Sequence, residues 1–162
     1  MKFSQGTFIV YDTETTGTAV ETDRVIELGL ALFEGGRCAR TRCHRFHPGV
    51  PIPPGASQVH GITDADVAHC PPIGSYGPLP ALLGSEKLVG YNVLAFDGPL
   101  LTAEARRHLG PRRAPPAPPP ALDVIVFVRW HFRHLRPRTL SAMCERFQVR
   151  LTDAHSAAAD AQ

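Results

Sequence analysis

No apolar run among the 162 residues approaches the length of a membrane span. The opening Met1-Lys2-Phe3-Ser4-Gln5-Gly6 lacks the charged, apolar and small-residue succession of a secretory signal and leads straight into an apolar segment. These absences set aside membrane-spanning and secreted roles, so a cytoplasmic location is the expectation. No two of the four cysteines, Cys38, Cys43, Cys70 and Cys144, stand at C-x-x-C spacing, and a reducing compartment would keep them as thiols. Cys38, Cys43, His44 and His47 are neighbours in sequence, but on a strand positions 38 and 43 face opposite sides, which opposes tetrahedral clustering. Lysine is nearly missing, with two against 15 arginines, and together with 16 prolines this reflects compositional bias before it reflects function.

A strong net charge is also lacking, at +2. Its placement is uneven: residues 1–100 carry 7 basic against 10 acidic side chains and residues 101–162 carry 10 against 5, so the two parts stand at −3 and +5. An acidic pocket beside a basic rim suits a polyanionic substrate. With 43% hydrophobic residues, a chain of this length can bury the core of one domain, here taken as residues 1–162.

What is present is concentrated in Phe8-Ile-Val-Tyr-Asp12-Thr-Glu14-Thr-Thr-Gly17. Side chains at i and i+2 of a strand share a face, so Asp12 and Glu14 point the same way from an otherwise apolar strand. Their mutual repulsion calls for a cation between them, and a divalent metal answers that need. The first strand spans Thr7–Tyr11 and the second Val25–Phe33, which ends at the turn Glu34-Gly-Gly-Arg37. A third strand, Cys38–His47, is stopped by Pro48 and the Pro/Gly-rich connection 48–55. Helix and strand then alternate: a helical turn over Asp64–Ala68, a short helix over Leu79–Leu83, a strand over Lys87–Tyr91 and a helix over Asp97–Leu109.

The run 111–120 reads as a stiff polyproline-like surface connector. Leu122–Trp130 opens as strand or continues as helix, a choice the pattern leaves open. Thr139 is placed to cap a helix over Leu140–Phe147, and residues 155–162 have helical composition. Asp97 falls where a central strand hands over to a helix, the usual place for functional groups in such folds. His155 and Asp160 are five residues apart and converge on one site when His155 precedes the helix proper, with Ser156 at its cap.

In this order the motifs resemble the DEDD superfamily of 3′-to-5′ exonucleases, histidine subtype, the group that includes the proofreading epsilon subunit of bacterial DNA polymerase III. The resemblance is carried by Asp12-Thr-Glu14-Thr-Thr-Gly17, by Arg24-Val-Ile-Glu27-Leu-Gly29, by Val59-His60-Gly-Ile-Thr63, by Asn92 with Phe96-Asp97, and by His155 with Asp160. It covers residue 7 to the last residues. The fold it implies is α/β and ribonuclease-H-like, a five-stranded mixed sheet with three antiparallel strands followed by alternating helix and strand, flanked by helices. Two departures stand out: family members continue the last helix for several turns past the final aspartate, whereas two residues follow Asp160 here, and the proline-rich loop 111–120 is longer than usual.

The resemblance implies two divalent ions, Mg²⁺ or Mn²⁺, held by Asp12, Glu14, Asp97 and Asp160, with His155 as the general base. It implies that Thr15 and Thr16 meet the terminal 3′-hydroxyl and that His60, Asn92 and Phe96 contact the last nucleotide. Phe96 is read equally as a stacking face or a core side chain. Arg129, Arg133, Arg136 and Arg138 are read either as phosphate contacts further along a strand or as a solvated basic face. His69, His108 and His131 are read as ordinary surface histidines.

The expected activity is release of nucleoside 5′-monophosphates from single-stranded or frayed DNA 3′ ends, with a DNA polymerase as a candidate partner. An exoribonuclease is the alternative within the same chemistry. A non-catalytic module binding nucleic acid or a polymerase is the alternative outside it.

Overall fold

Antiparallel pairing dominates the first part of this computed structural model, which describes residues 6–85, 87–110, 112, 114, 115, 117–149, 157 and 161. Strands β1 (Thr7–Thr15) and β2 (Val25–Glu34) pair antiparallel, and β2 pairs in the same sense with β3 (Arg37–Arg45). Two short strands, β4 (Leu88–Gly90) and β5 (Ala121–Asp123), add in parallel to give the order β3-β2-β1-β4-β5. This is the five-stranded mixed sheet expected, with β1 at its centre. The undecided segment after residue 120 resolves into both elements: β5, then the helix α5 (Val124–His131).

Six helices accompany the sheet among the described residues: α1 (Pro54–His60), α2 (Asp64–Val67), α3 (Leu79–Leu83), α4 (Asp97–Leu109), α5 and α6 (Leu140–Arg146), with a 3-10 turn at Ile73–Ser75. Helix α1 departs from the sequence reading, which took 48–55 as a connection and placed no helix before Asp64. Pro54 stands at the first turn, where a missing N–H costs nothing. No residue of α1 is fully buried, so no apolar periodicity announced it. Thr63 and Asp66 form a reciprocal capping box on α2, and the Thr139 hydroxyl accepts from Ala142 N–H at 3.3 Å to cap α6 as expected.

The main core lies between the sheet and α4. Tyr11, Leu28, Leu88 and Val93 meet Leu100, Leu101 and Ala105, all nearly inaccessible to solvent. A second cluster joins Ile26 of β2 to Ile52, Ile62 and Val67 around α1 and α2. No helix among the described residues is long and apolar enough to cross a membrane.

Candidate active site

Along β1, Tyr11, Thr13 and Thr15 are buried while Asp12 and Glu14 are only partly so, which is the alternation that the i, i+2 spacing predicts. The register sets Asp12 opposite Gly29 and Glu14 opposite Glu27. Directly opposed residues of an antiparallel pair project to the same face, so Asp12, Glu14 and Glu27 form one acidic row. Glu27 is 2% exposed, and two donors hold it: Arg45 Nε at 2.8 Å and the backbone N–H of Ala157 at 3.0 Å. Ala157 lies in a helix, two residues after His155 and three before Asp160 in the sequence. His155 and Asp160 themselves lie outside the described residues.

Asp97 reaches the same end of the sheet by another route. Strand β4 pairs with β1 only at Ile9 and Val10, so the edge of β1 beyond them has no strand partner on that side. Asp97, the first residue of α4, takes the vacated position: its Oδ1 accepts from the Thr13 N–H at 3.0 Å and from the Thr13 hydroxyl at 2.6 Å. Burial pushes the Asp97 carboxyl up to about 6, the Thr13 hydrogen bonds pull it back, and the nearby Asp123 carboxylate adds to the rise. Tyr11 lies under the same groups, and burial, then Asp97, Asp123 and Asp12, drive its phenol far above its ordinary value. Its hydroxyl has no hydrogen-bond partner among the described residues.

Asp123 was not singled out by sequence. It is 6% exposed at the end of β5 and collects three backbone donors: Asn92 N–H at 2.7 Å, Leu94 N–H at 3.1 Å and Ile125 N–H at 3.1 Å. One carboxylate therefore caps α5 and holds the loop that carries Asn92 and Phe96. Asn92 adopts φ 67°, a left-handed conformation that asparagine tolerates better than most residues. A polar residue directly before an apolar helix was the available signal. Phe96 is half-buried and stands outside the core clusters. His60 ends α1, where its Nδ1 accepts from Ile62 N–H at 3.0 Å.

The loop after β1 is braced from within and from α4. Thr15 donates to Gly17 O at 2.7 Å, and Thr16 donates to Asp23 Oδ1 at 2.9 Å while accepting from Arg24 N–H at 2.9 Å. A Cβ at Gly17 would come within 2.5 Å of Asp23 Oδ2, so the close approach requires glycine there. Both threonine hydroxyls thus spend their protons inside the loop, and contact with a substrate would use their remaining lone pairs. Arg107 clasps the same loop through Val20 O, Glu21 O and Asp23 O at 2.7 to 3.1 Å.

Glu104 completes the brace. Fully buried, it accepts from Arg24 Nε at 2.6 Å and Nη2 at 3.2 Å, from Arg107 Nη1 at 3.3 Å and from Val25 N–H at 3.3 Å. His108, expected to be an ordinary surface group, lies 3.1 Å from Glu104 and 3.0 Å from Arg24.

Chemically, the paired carboxylates of β1 and the desolvated Asp97 are hard-oxygen donors of the kind that suits Mg²⁺ or Mn²⁺. Asp97 fits a cation on its own account, because burial raises its affinity for a proton and no basic side chain among the described residues pairs with it. Among the described residues no three acidic, histidine or cysteine side chains gather closely enough to hold an ion unaided.

A family model described as exonuclease (RNase_T) matches residues 9–162. The PolC-type DNA polymerase III of Streptococcus mutans is 26% identical over 163 residues, a match that spans all of this chain and 11% of that protein. Among solved structures, E. coli exonuclease I in complex with a dT13 oligonucleotide superposes with a TM-score of 0.79 at 20% identity, covering 97% of this chain and 39% of that one. A zinc-bound form of the E. coli exonuclease I complex with single-stranded DNA gives the same TM-score and identity, covering 97% and 38%. The two structures share the ribonuclease-H-like fold with this chain.

Proposed function

The chain belongs to the exonuclease (RNase_T) family, and from that premise we propose that residues 1–162 are a single DEDD-type exonuclease domain of the histidine subtype. It removes nucleoside 5′-monophosphates from the 3′ end of single-stranded or frayed DNA. The reading is carried by one observation: Asp12 and Glu14 share one face of β1 while Thr13 between them pins Asp97, so carboxylates from two remote segments meet one stretch of backbone. The oligonucleotide complexes of the exonuclease I neighbours support single-stranded DNA as substrate. The polymerase relative supports work alongside a DNA polymerase, and a cytoplasmic setting is part of the same proposal.

Asp12, Glu14, Asp97 and Asp160 would hold two divalent ions, Mg²⁺ or Mn²⁺. When bound, such ions supply an acidified water and neutralise the charge that grows on the phosphate and the leaving 3′ oxygen. The chain's own groups do the rest. His155 takes the proton from the attacking water, since an imidazole titrates near working pH. Asn92 and His60 orient the last nucleotide, Phe96 offers a face to its base, and the Thr15–Thr16 turn meets the terminal 3′-hydroxyl. Stacking accepts any base, which suits removal without regard to sequence.

The test is a 5′-labelled oligonucleotide incubated with Mn²⁺, with DNA and RNA run in parallel. A ladder shortening from the 3′ end of DNA supports the proposal. A faster RNA ladder would make the protein an exoribonuclease, and retarded but intact strands would make it a binding module.

A further inference from the structure

One face of α5 carries apolar side chains that the fold does not bury. Trp130 is 79% exposed, Val126 54%, Phe127 53% and the adjoining Leu122 of β5 50%. His131 stacks on Phe127 with ring centroids 3.9 Å apart and planes 25° from parallel. With Leu94 these residues line a groove of about 450 Å³. Leu94 belongs to the loop between Asn92 and Phe96, so the groove begins where the proposed contacts to the last nucleotide end.

Its surroundings are basic. Residues 121–149 hold five arginines against two carboxylates, Asp123 and Glu145. Asp123 is spent on backbone N–H groups. Arg136 and Arg138 turn back to the carbonyls of Arg133 and Leu135 and brace the chain after α5. Arg129 and Arg133 differ: both are exposed, and neither pairs with a carboxylate among the described residues. Arg129 lies near enough to Tyr91, at the start of the site loop, to influence its phenol. Tyr91 in turn donates its hydroxyl to Arg138 O at 2.5 Å, which ties that loop to the arginine-bearing segment.

We propose that this face is an extension of the substrate site, a stacking platform for the single strand on the 5′ side of the terminal nucleotide, with Trp130 as its principal contact and Arg129 and Arg133 on the phosphates. The inference rests on the nucleic-acid reading given above and deepens it. Charge complementarity selects the occupant: a strand supplies both phosphates for unpaired guanidinium groups and flat faces for an exposed indole and a stacked ring pair. Each base has such a face, so the platform adds affinity without sequence preference and favours strands long enough to reach it.

Trp130 is the only tryptophan of the chain, so its fluorescence reports this face alone. In EDTA, where cleavage is arrested, a twelve-residue oligothymidylate should quench it, with a midpoint that weakens as salt rises. The dinucleotide TpT should leave it unchanged. Trp130→Ala, at an exposed position, should weaken the anisotropy-measured affinity for the dye-labelled twelve-mer about 5- to 100-fold. The same change should leave cleavage of TpT as it was, and Arg129→Glu with Arg133→Glu should weaken the long strand likewise. Unchanged fluorescence with the twelve-mer, in a preparation that shortens it from the 3′ end once Mn²⁺ is restored, overturns the platform and leaves the exonuclease reading standing. Fluorescence that responds to protein concentration and not to oligonucleotide overturns it in favour of a protein interface. A chain that neither cleaves nor responds refutes both.

Discussion

Asp97 and Glu104 stand two turns apart on the same face of α4, both almost wholly removed from solvent, at 3% and 0% exposed. Around Glu104 the fold gathers two guanidinium groups, a histidine and a backbone N–H. Around Asp97, among the described residues, it places Thr13 and the local backbone as donors, with the Asp123 carboxylate adding repulsion. A buried acid with its cations built in is architecture, and here it fastens the loop after β1 to α4. A buried acid given dipoles but no cation holds its charge at a cost, a state expected where a cation arrives with the substrate or cofactor.

The sharpest way to break the comparison is to neutralise each acid in turn. Asp97→Asn should lower cleavage of a labelled oligonucleotide by about 10³-fold or more while the melting temperature holds or rises, since a costly buried charge has been removed. Asp12→Ala should abolish cleavage as completely. His155→Ala should cost about 10²–10⁴ in rate while metal binding, followed by calorimetry, survives. Glu104→Ala should reverse the pattern, with loss of about 3–5 kcal/mol of stability on denaturant titration, because it strands guanidinium groups placed to meet it. Equal stability losses for Asp97→Asn and Glu104→Ala would erase the distinction.

A smaller effect sharpens the comparison through pH. The Asp97 carboxyl is raised in the folded chain to about 6 from 3.8, so the native state binds its proton more tightly than the unfolded state does. That contribution to stability is fully present below the unfolded value and is lost as pH rises through 6. In chelator the wild type should therefore weaken by about 2–3 kcal/mol between pH 4 and pH 7 relative to Asp97→Asn. Adding Mn²⁺ at pH 7 should restore the difference. The smallest change is expected from Arg107→Ala, about 1 kcal/mol, because Arg24 still faces Glu104 and Arg107 is partly solvated.

Much of the frame was legible from local pattern. The Asp12/Glu14 face, the strands around Gly35–Gly36, α4 from Asp97 to Leu109 and the Thr139 cap all follow from spacings of a few residues. Helix α1 escaped because none of its residues is fully buried and it opens on Pro54 directly after Pro53. Asp123 and Glu104 escaped for a different reason: beside a local partner or two, each meets groups 29 to 80 residues away that no local pattern announces. His108 is exposed as expected, and its contact with Arg24 was hidden for the same reason, since nothing beside it in sequence points there.

The sequence by itself determined that two carboxylates share a strand face and that a third begins a helix, because strand and helix periodicity are properties of neighbouring residues. Only the tertiary structure decided which buried acids meet arginine and which do not. It did so by ending β4 at Gly90, which left the Thr13 N–H for Asp97, and by laying α4 across the loop after β1, which delivered Arg24 to Glu104. Charge compensation depends on distances across the fold, and those are fixed by the packing of whole elements.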